Sequence, residues 1–369
     1  MDIERIADFW IAQVVGIGPV GRQVIDGIFG SVMMLFLSSA DEVYTLIGRW
    51  RAGGESSYRI TNQTLRQLAD PVSRIKIVDE YERVLKKNIC FVRKCDDDYP
   101  DQLRHIQVPP EQLFYIGRLP TADRVSVGIV GARECTTYGR DMARLFGYRL
   151  AEAGVVVISG MAKGVDGWAH IGALEAGGET VAVLGCGVEV CYPSSNEKIY
   201  RQIPERGCII SEYPTKYGAM PANFPMRNRI ISGLSRGILI VEARIRSGSL
   251  ITADAALDQG KDVFVIPGRI GDVLSEGCNR LIRQGAIPVI SPDDILEYYN
   301  VKTGPEKVRG MGRDVKRILD LIKDKPISLM ELASKAQGAY GYTVKLVRKL
   351  EKDGLIREIS RDRYVRVEI

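Results

Sequence analysis

The sequence has two histidines, His105 and His170, among 369 residues. That scarcity speaks against a histidine-rich metal centre. The seven cysteines are Cys90, Cys95, Cys135, Cys186, Cys191, Cys208 and Cys278. Their number is odd and no C-x-x-C pair occurs, so neither a zinc ribbon nor a disulfide framework is expected, and a reducing cytoplasm fits best. No apolar run reaches the roughly 18 residues of a membrane span. The opening MDIERIADFW carries acids where a signal peptide carries bases. Two phosphate and nucleophile signatures are missing as well, the G-x-x-x-x-G-K-[ST] loop and the G-x-S-x-G elbow. The expectation is a chain without membrane contact, metal or bound cofactor.

What is present is an uneven charge. The net charge is +5, yet the segment from Lys302 onward holds 17 Lys/Arg against 10 Asp/Glu. The remainder is close to neutral, so any polyanion site in it must be local.

Three zones separate along the chain. Residues 1–80 read as a helical domain, in which Gly16-Ile17-Gly18-Pro19 joins two apolar-periodic segments in the manner of a SAM or helix-hairpin-helix unit. Such a turn either offers its N–H groups to a DNA phosphate or simply joins two packed helices. Residues 81–299 form the core. Within it the apolar runs 125–131, 155–160, 180–185, 207–212, 238–243, 263–268 and 287–290 alternate with helical patterns. That alternation predicts an α/β fold with a Rossmann-like, doubly wound, mostly parallel sheet. After a polar linker over 300–312, residues 313–369 read as three helices and a small hairpin, a winged helix. Lys345, Arg348, Lys349 and Lys352 share one side of its third helix. The stripe is either a DNA-reading surface or a solvated face.

Right-handed crossovers place every strand-to-helix loop on one edge of such a sheet, where ligands bind. Gly131 starts like a dinucleotide loop, but Ala132 and Arg133 follow where two more glycines belong. Other loops on the edge carry Gly160, Lys163, Arg227, Arg229, Arg244, Arg246 and Arg269. Pro225 is expected as the first residue of a helix, with Arg227, Asn228 and Arg229 in its first turn. Cations there oppose the macrodipole unless an anion is shared. Phe224 beside them is the best candidate for stacking a base, whereas Tyr138, Tyr192, Tyr213 and Tyr217 serve equally well as core. Ser247 or Ser249 is expected to cap the next helix, with Gly248 beside it. Ser159, Asp166 and His170 are the residue types of a hydrolytic triad, but Asp166 and His170 lie four apart on one helix. No catalytic residue is assigned.

The motifs YPDQLRHIQVPPEQLFYIG, GIVGAR, VVISGMAKGVDGWAH, AVLGCGVEVCYP, ISEYP, FPMRNRIISGLS, SGSLITADAA, VIPG and GCNRLIRQGA run almost continuously from 95 to 291. In this ordered series the chain resembles the DNA processing protein A family, also called Smf. The resemblance implies a non-enzymatic recombination mediator that protects single-stranded DNA in natural transformation. It also implies help in loading the RecA recombinase, usually as a homodimer. It makes Arg133, Lys163, Arg227 and Asn228 phosphate contacts, with Phe224 beside them. The rival reading is a nucleotide-processing hydrolase of the lysine-decarboxylase-like Rossmann type. Its P-G-G-x-G-T loop is matched only by PGRIGD, which lacks the second glycine and the threonine. A transcriptional regulator using the winged helix alone is a third, weaker reading.

Overall fold

The computed structural model describes residues 2–54, 58–301, 313–322, 326–336, 340–352, 355–360 and 362–367. They fall into two compact units, 1–302 and 303–369.

The first unit opens with six helices: α1 (Ile3–Ala12), α2 (Pro19–Phe29), α3 (Val32–Leu37), α4 (Ala40–Gly53), α5 (Asn62–Ala69) and α6 (Pro71–Lys86). Their starts carry recognisable caps. Ser39 and Glu42 form a capping box on α4, and Thr61 and Asp70 cap α5 and α6. The expected glycine turn joins α1 to α2: Gly16 is left-handed at φ 92°, and Pro19 opens α2 after Gly18. Phe9 and Trp10 of α1 are fully buried. Phe9 meets Phe91 and Phe114 edge-on at 5.3 and 5.8 Å. The helical zone therefore shares one hydrophobic core with the adjoining sheet.

That sheet has nine strands: β1 (Ile89–Arg93), β2 (Gln112–Gly117), β3 (Ser126–Val130), β4 (Val156–Ser159), β5 (Thr180–Val183), β6 (Cys208–Ser211), β7 (Gly237–Ile240), β8 (Asp262–Val265) and β9 (Ile287–Pro288). Their spatial order is β1-β2-β6-β5-β4-β3-β7-β8-β9. Strands β6 through β9 in that order pair in parallel, with β3 joined to both β4 and β7. All seven strands expected from the sequence are present, and the mostly parallel, Rossmann-like sheet follows. Strands β3 to β7 are buried along their whole length, as a parallel sheet covered on both faces requires. Two strands are additional: β1 and β2 pair antiparallel and extend the β6 edge.

The covering helices are α7 (Asp101–Arg104), α8 (Thr137–Glu152), α9 (Val165–Glu175), α10 (Glu197–Arg206), α11 (Asn223–Leu234), α12 (Gly248–Asp258), α13 (Glu276–Arg283) and α14 (Pro292–Tyr298). Strand order reverses between β3 and β7. The loops after those two strands therefore flank the topological switch point, where open α/β sheets take their ligands.

The second unit contains α15 (Arg313–Leu321), α16 (Leu329–Ala336) and α17 (Tyr340–Lys352), with a three-stranded antiparallel sheet. Its strands are β10 (Ile327–Ser328), β11 (Ile356–Ser360) and β12 (Arg363–Arg366), in the order β10-β12-β11. Ile318, Leu332, Val347, Leu350 and Ile356 form its core. Arg348 is exposed on α17. The side chains of Lys345, Lys349 and Lys352, and residues 302–312 of the expected linker, lie outside the described residues.

Candidate functional site

Helix α11 sets the geometry of the carboxyl edge. It starts at Asn223, two residues before the position expected for its first residue, so Pro225 sits inside the first turn. Pro225 is still tolerated, because the N–H groups of a first turn have no helical partner. The two arginines take roles other than those the sequence suggested.

Arg227 turns inward and is 3% exposed. Its Nη1 donates to the carbonyl of Gly160, at 2.7 Å, and to that of Val183. These carbonyls end β4 and β5, so one guanidinium closes the tops of two neighbouring strands. Nε donates to Asn228 Oδ1 at 3.1 Å. A Cβ on Gly160 would lie 2.6 Å from Arg227 Nη2, so only glycine leaves room for the guanidinium. Burial lowers the Arg227 pKa, and the neighbouring Asp166 opposes that shift.

Arg229 is engaged elsewhere. Its fork grips Glu212 bidentately at 2.8 and 2.6 Å, and Nε donates to the Val108 carbonyl. This pair locks α11 to the loop after β6 and leaves little of Arg229 for a ligand.

Phe224 stands between these groups and the surface. Arg133 lies over its ring at 5.3 Å, Arg227 at 5.9 Å, and Tyr192 packs at 5.5 Å with a 32° tilt. Gly185, after β5, lets the ring approach: a Cβ there would be 2.8 Å from Phe224 Cδ1. Arg133 itself is exposed and, among the described residues, makes no ion pair.

The Arg133 loop is fixed from below. Glu242, buried at the end of β7, accepts from Thr136 N at 2.9 Å and Thr136 Oγ1 at 2.5 Å. A Cβ on Gly139 would strike its carboxylate at 2.2 Å. One acid thus ties together the loops on both sides of the switch point. Gly131 is required by packing, since its Cβ would lie 2.7 Å from Val165 Cγ2.

Lys163 reaches the same rim by a strained loop. Met161 is left-handed at φ 58° without being glycine, and Gly164 follows at φ 76°. The conformation persists because it is over-determined. Asp166 Oδ2 accepts from Gly160 N and Ala162 N, and Asn196 Nδ2 donates to the carbonyls of Met161 and Ala162. Val165 N donates to the Ala132 carbonyl at 3.2 Å, joining this loop to the Arg133 loop. Lys163 is exposed.

On the other side, Ser247 caps α12, and Asn228 Nδ2 donates to the Gly248 carbonyl at 3.3 Å. Arg244, Arg246 and Arg269 are exposed and have no ion pair among the described residues. The structure thus gathers Gly131, Arg133, Gly160, Lys163, Phe224, Arg227 and Asn228, with Ser247 and Gly248 adjoining through Asn228. It turns Arg229 aside. Glu242 and Gly185 were not found from the sequence, and Asp166 was read there only as a residue type of a triad; an acid at a strand end reads like any surface acid.

The triad residue types do not assemble. Ser159 Oγ is buried and donates to the Ile129 carbonyl at 2.6 Å. His170 Nδ1 meets Thr180 Oγ1 at 2.7 Å. Thr180 gives its own proton to the Val157 carbonyl, so Nδ1 is the protonated nitrogen of His170. Burial, with Arg227 nearby, lowers its pKa to about 3. Asp166 serves the 160–162 backbone.

A sequence profile of the family described as DNA recombination-mediator protein A matches residues 90–300. Protein Smf of Escherichia coli is 46% identical over 200 residues, which are 54% of this chain and 54% of that protein. The match thus spans about half the length of that relative. The solved structure of DNA processing protein A from Streptococcus pneumoniae is 35% identical with a TM-score of 0.54, and covers 69% of this chain and 92% of that one. A second solved structure, of the Helicobacter pylori DNA processing protein A, was described for its single-stranded-DNA binding mode. It is 29% identical with a TM-score of 0.52, and covers 57% of this chain and 95% of that one.

Proposed function

The chain belongs to the DNA recombination-mediator protein A family, and on that footing we propose that its carboxyl-edge site holds single-stranded DNA for a recombinase. One observation carries the reading: an exposed Arg133, without an ion pair among the described residues, lies 5.3 Å above the Phe224 ring, on the rim that also carries Lys163. Cations for the phosphates and an aromatic face for a base are what a single strand needs, and every base offers a π-face. A dinucleotide needs instead a glycine loop and an acid at the end of the second strand. Here β4 ends in Ser159, whose hydroxyl is committed to a carbonyl.

In this reading Arg133, Lys163, Arg244, Arg246 and Arg269 meet the phosphates. Arg227 and Asn228 hold the platform rather than the ligand, and Arg229 fixes α11. The protein acts as a binding and loading factor, not a catalyst. It delivers the strand to the RecA recombinase and works as a homodimer. Residues 313–369 act as a winged helix whose third helix, with Arg348 exposed on it, meets a partner or duplex DNA. Among the described residues no helix is long and apolar enough to cross a membrane.

The deciding experiment is a salt titration of binding to oligo-dT, an equal-length duplex and a mononucleotide, with wild type and Arg133→Ala side by side. Preference for the single strand that is sensitive to salt and lost in Arg133→Ala supports the reading. Tight mononucleotide binding with weak binding to both DNAs overturns it and points to a small-ligand pocket.

A further inference from the structure

The helical zone and the sheet enclose a cavity of about 250 Å³ next to the Phe224 platform. Ile17 and Pro19 of the glycine turn form one wall, and Glu212, Tyr213, Tyr217 and Asn223 the other. Asn223 directly precedes Phe224, so the cavity continues the rim on which the phosphates would lie. Its volume falls below the roughly 300–1,000 Å³ of ordinary small-molecule sites, which suits one flat ring better than a whole cofactor. The chemistry of the lining agrees. Tyr213 and Tyr217 are stacked, with ring centres 5.6 Å apart and planes 15° from parallel. Asn223 Nδ2 donates to the Gly185 carbonyl at 3.1 Å, which leaves its Oδ1 without a partner among the described residues. Gln112, also on the lining, has a side-chain amide with no hydrogen-bond partner among the described residues. Apolar and aromatic side chains, the free Oδ1 of Asn223 and the free amide of Gln112, beside the ion-paired Arg22, Glu111 and Glu212, are suited to a nucleobase, stacked on its face and bonded at its edge.

We propose that this cavity receives a second base of the strand bound at Phe224, so that the helical zone closes over the DNA as part of the binding site. The inference rests on the single-strand reading of the Phe224 platform. It assigns Tyr217 and Gln112 as binding residues and makes Ile17 the opposing wall. Because the Gln112 amide offers both a donor and an acceptor, it can meet the edge of any base, and the pocket is sequence-tolerant.

The test uses the full chain and a 2-aminopurine scan along an oligo-dT strand, with affinity and salt slope measured for each variant. Tyr217→Ala is expected to weaken binding about tenfold, as loss of one stacked base does. It should abolish the quenching at one position and leave the salt slope unchanged. Tyr217→Phe should restore both. Ile17→Trp fills the cavity from the opposite wall and should give the same loss, independently of how well Tyr217→Ala folds. Wild-type affinity and an unchanged quenching pattern in Ile17→Trp and Tyr217→Ala, with Arg133→Ala still defective, overturn this inference alone. Wild-type binding in Arg133→Ala overturns the platform reading, and the cavity proposal falls with it.

Discussion

The guanidinium of Arg133 lies over the Phe224 ring, 5.3 Å from its centre. The ring is itself backed by Arg227 at 5.9 Å and by Gly185. A flexible surface arginine is thereby held at one place on the rim. The cation–π contact is worth roughly 0.5–1 kcal/mol at an exposed site. That is enough to bias a rotamer and too little to prevent the guanidinium from turning to a phosphate.

Arg133→Ala should therefore weaken single-strand binding for every sequence alike. Each lost phosphate contact lowers the salt slope by about 0.7 for single strands. Titrations between low and moderate salt check it. A slope equal to wild type would remove Arg133 from the phosphate track.

Arg227→Ala should behave differently, although the sequence places the two arginines in one cationic set. It strips a donor from the Gly160 and Val183 carbonyls, and a buried group left unsatisfied costs about 1–3 kcal/mol. The expected result is a lower melting temperature and weaker binding with an unchanged salt slope. Arg227→Lys should not rescue it, because an ammonium lacks the planar fork. A normal melt with a reduced slope would return Arg227 to the ligand.

Gly185→Ala tests the platform without touching a charge. Its new methyl group would sit 2.8 Å from Phe224 Cδ1, so the ring must leave the position in which Arg133 lies over it. Affinity should fall while Arg133 and Lys163 stay in place and the protein stays folded. Gel-shift affinity and circular dichroism together read this outcome.

His170 gives a pH signature. Its folded-state pKa is depressed to about 3 from 6.5, so the unfolded chain binds the proton first. Stability from this group is full above pH 6.5 and declines as pH falls toward 3. At pH 5 the loss is about 2 kcal/mol, at 1.36 kcal/mol per pH unit. His170→Gln should flatten the fall in melting temperature between pH 7 and pH 5. An equal fall in both proteins would place the acid sensitivity elsewhere.

The parallel strands were legible because a strand covered on both faces is a continuous apolar run, as VVVISG and ILIVEA are. Strands β1 and β2 were not, because they mix buried with half-buried positions at an antiparallel edge beside a helical pattern. In the site, Arg133 and Phe224 could be read from their loops. The fates of Arg227 and Arg229 could not. They are two residues apart on a helix and so lie on nearly opposite faces, and which face packs inward is set by tertiary contacts rather than by the local sequence. Glu242 bonds to Thr136 across 106 residues, a pairing that no local pattern announces.

That bond between Glu242 and Thr136 has a kinetic meaning. The Arg133 loop is held in its final shape by a buried carboxylate before any ligand arrives, so its ordering belongs to folding rather than to association. Capture of a strand should then proceed without a slow rearrangement of this loop, at a rate set by diffusion and charge. Differences between one strand and another would appear in how long each one stays.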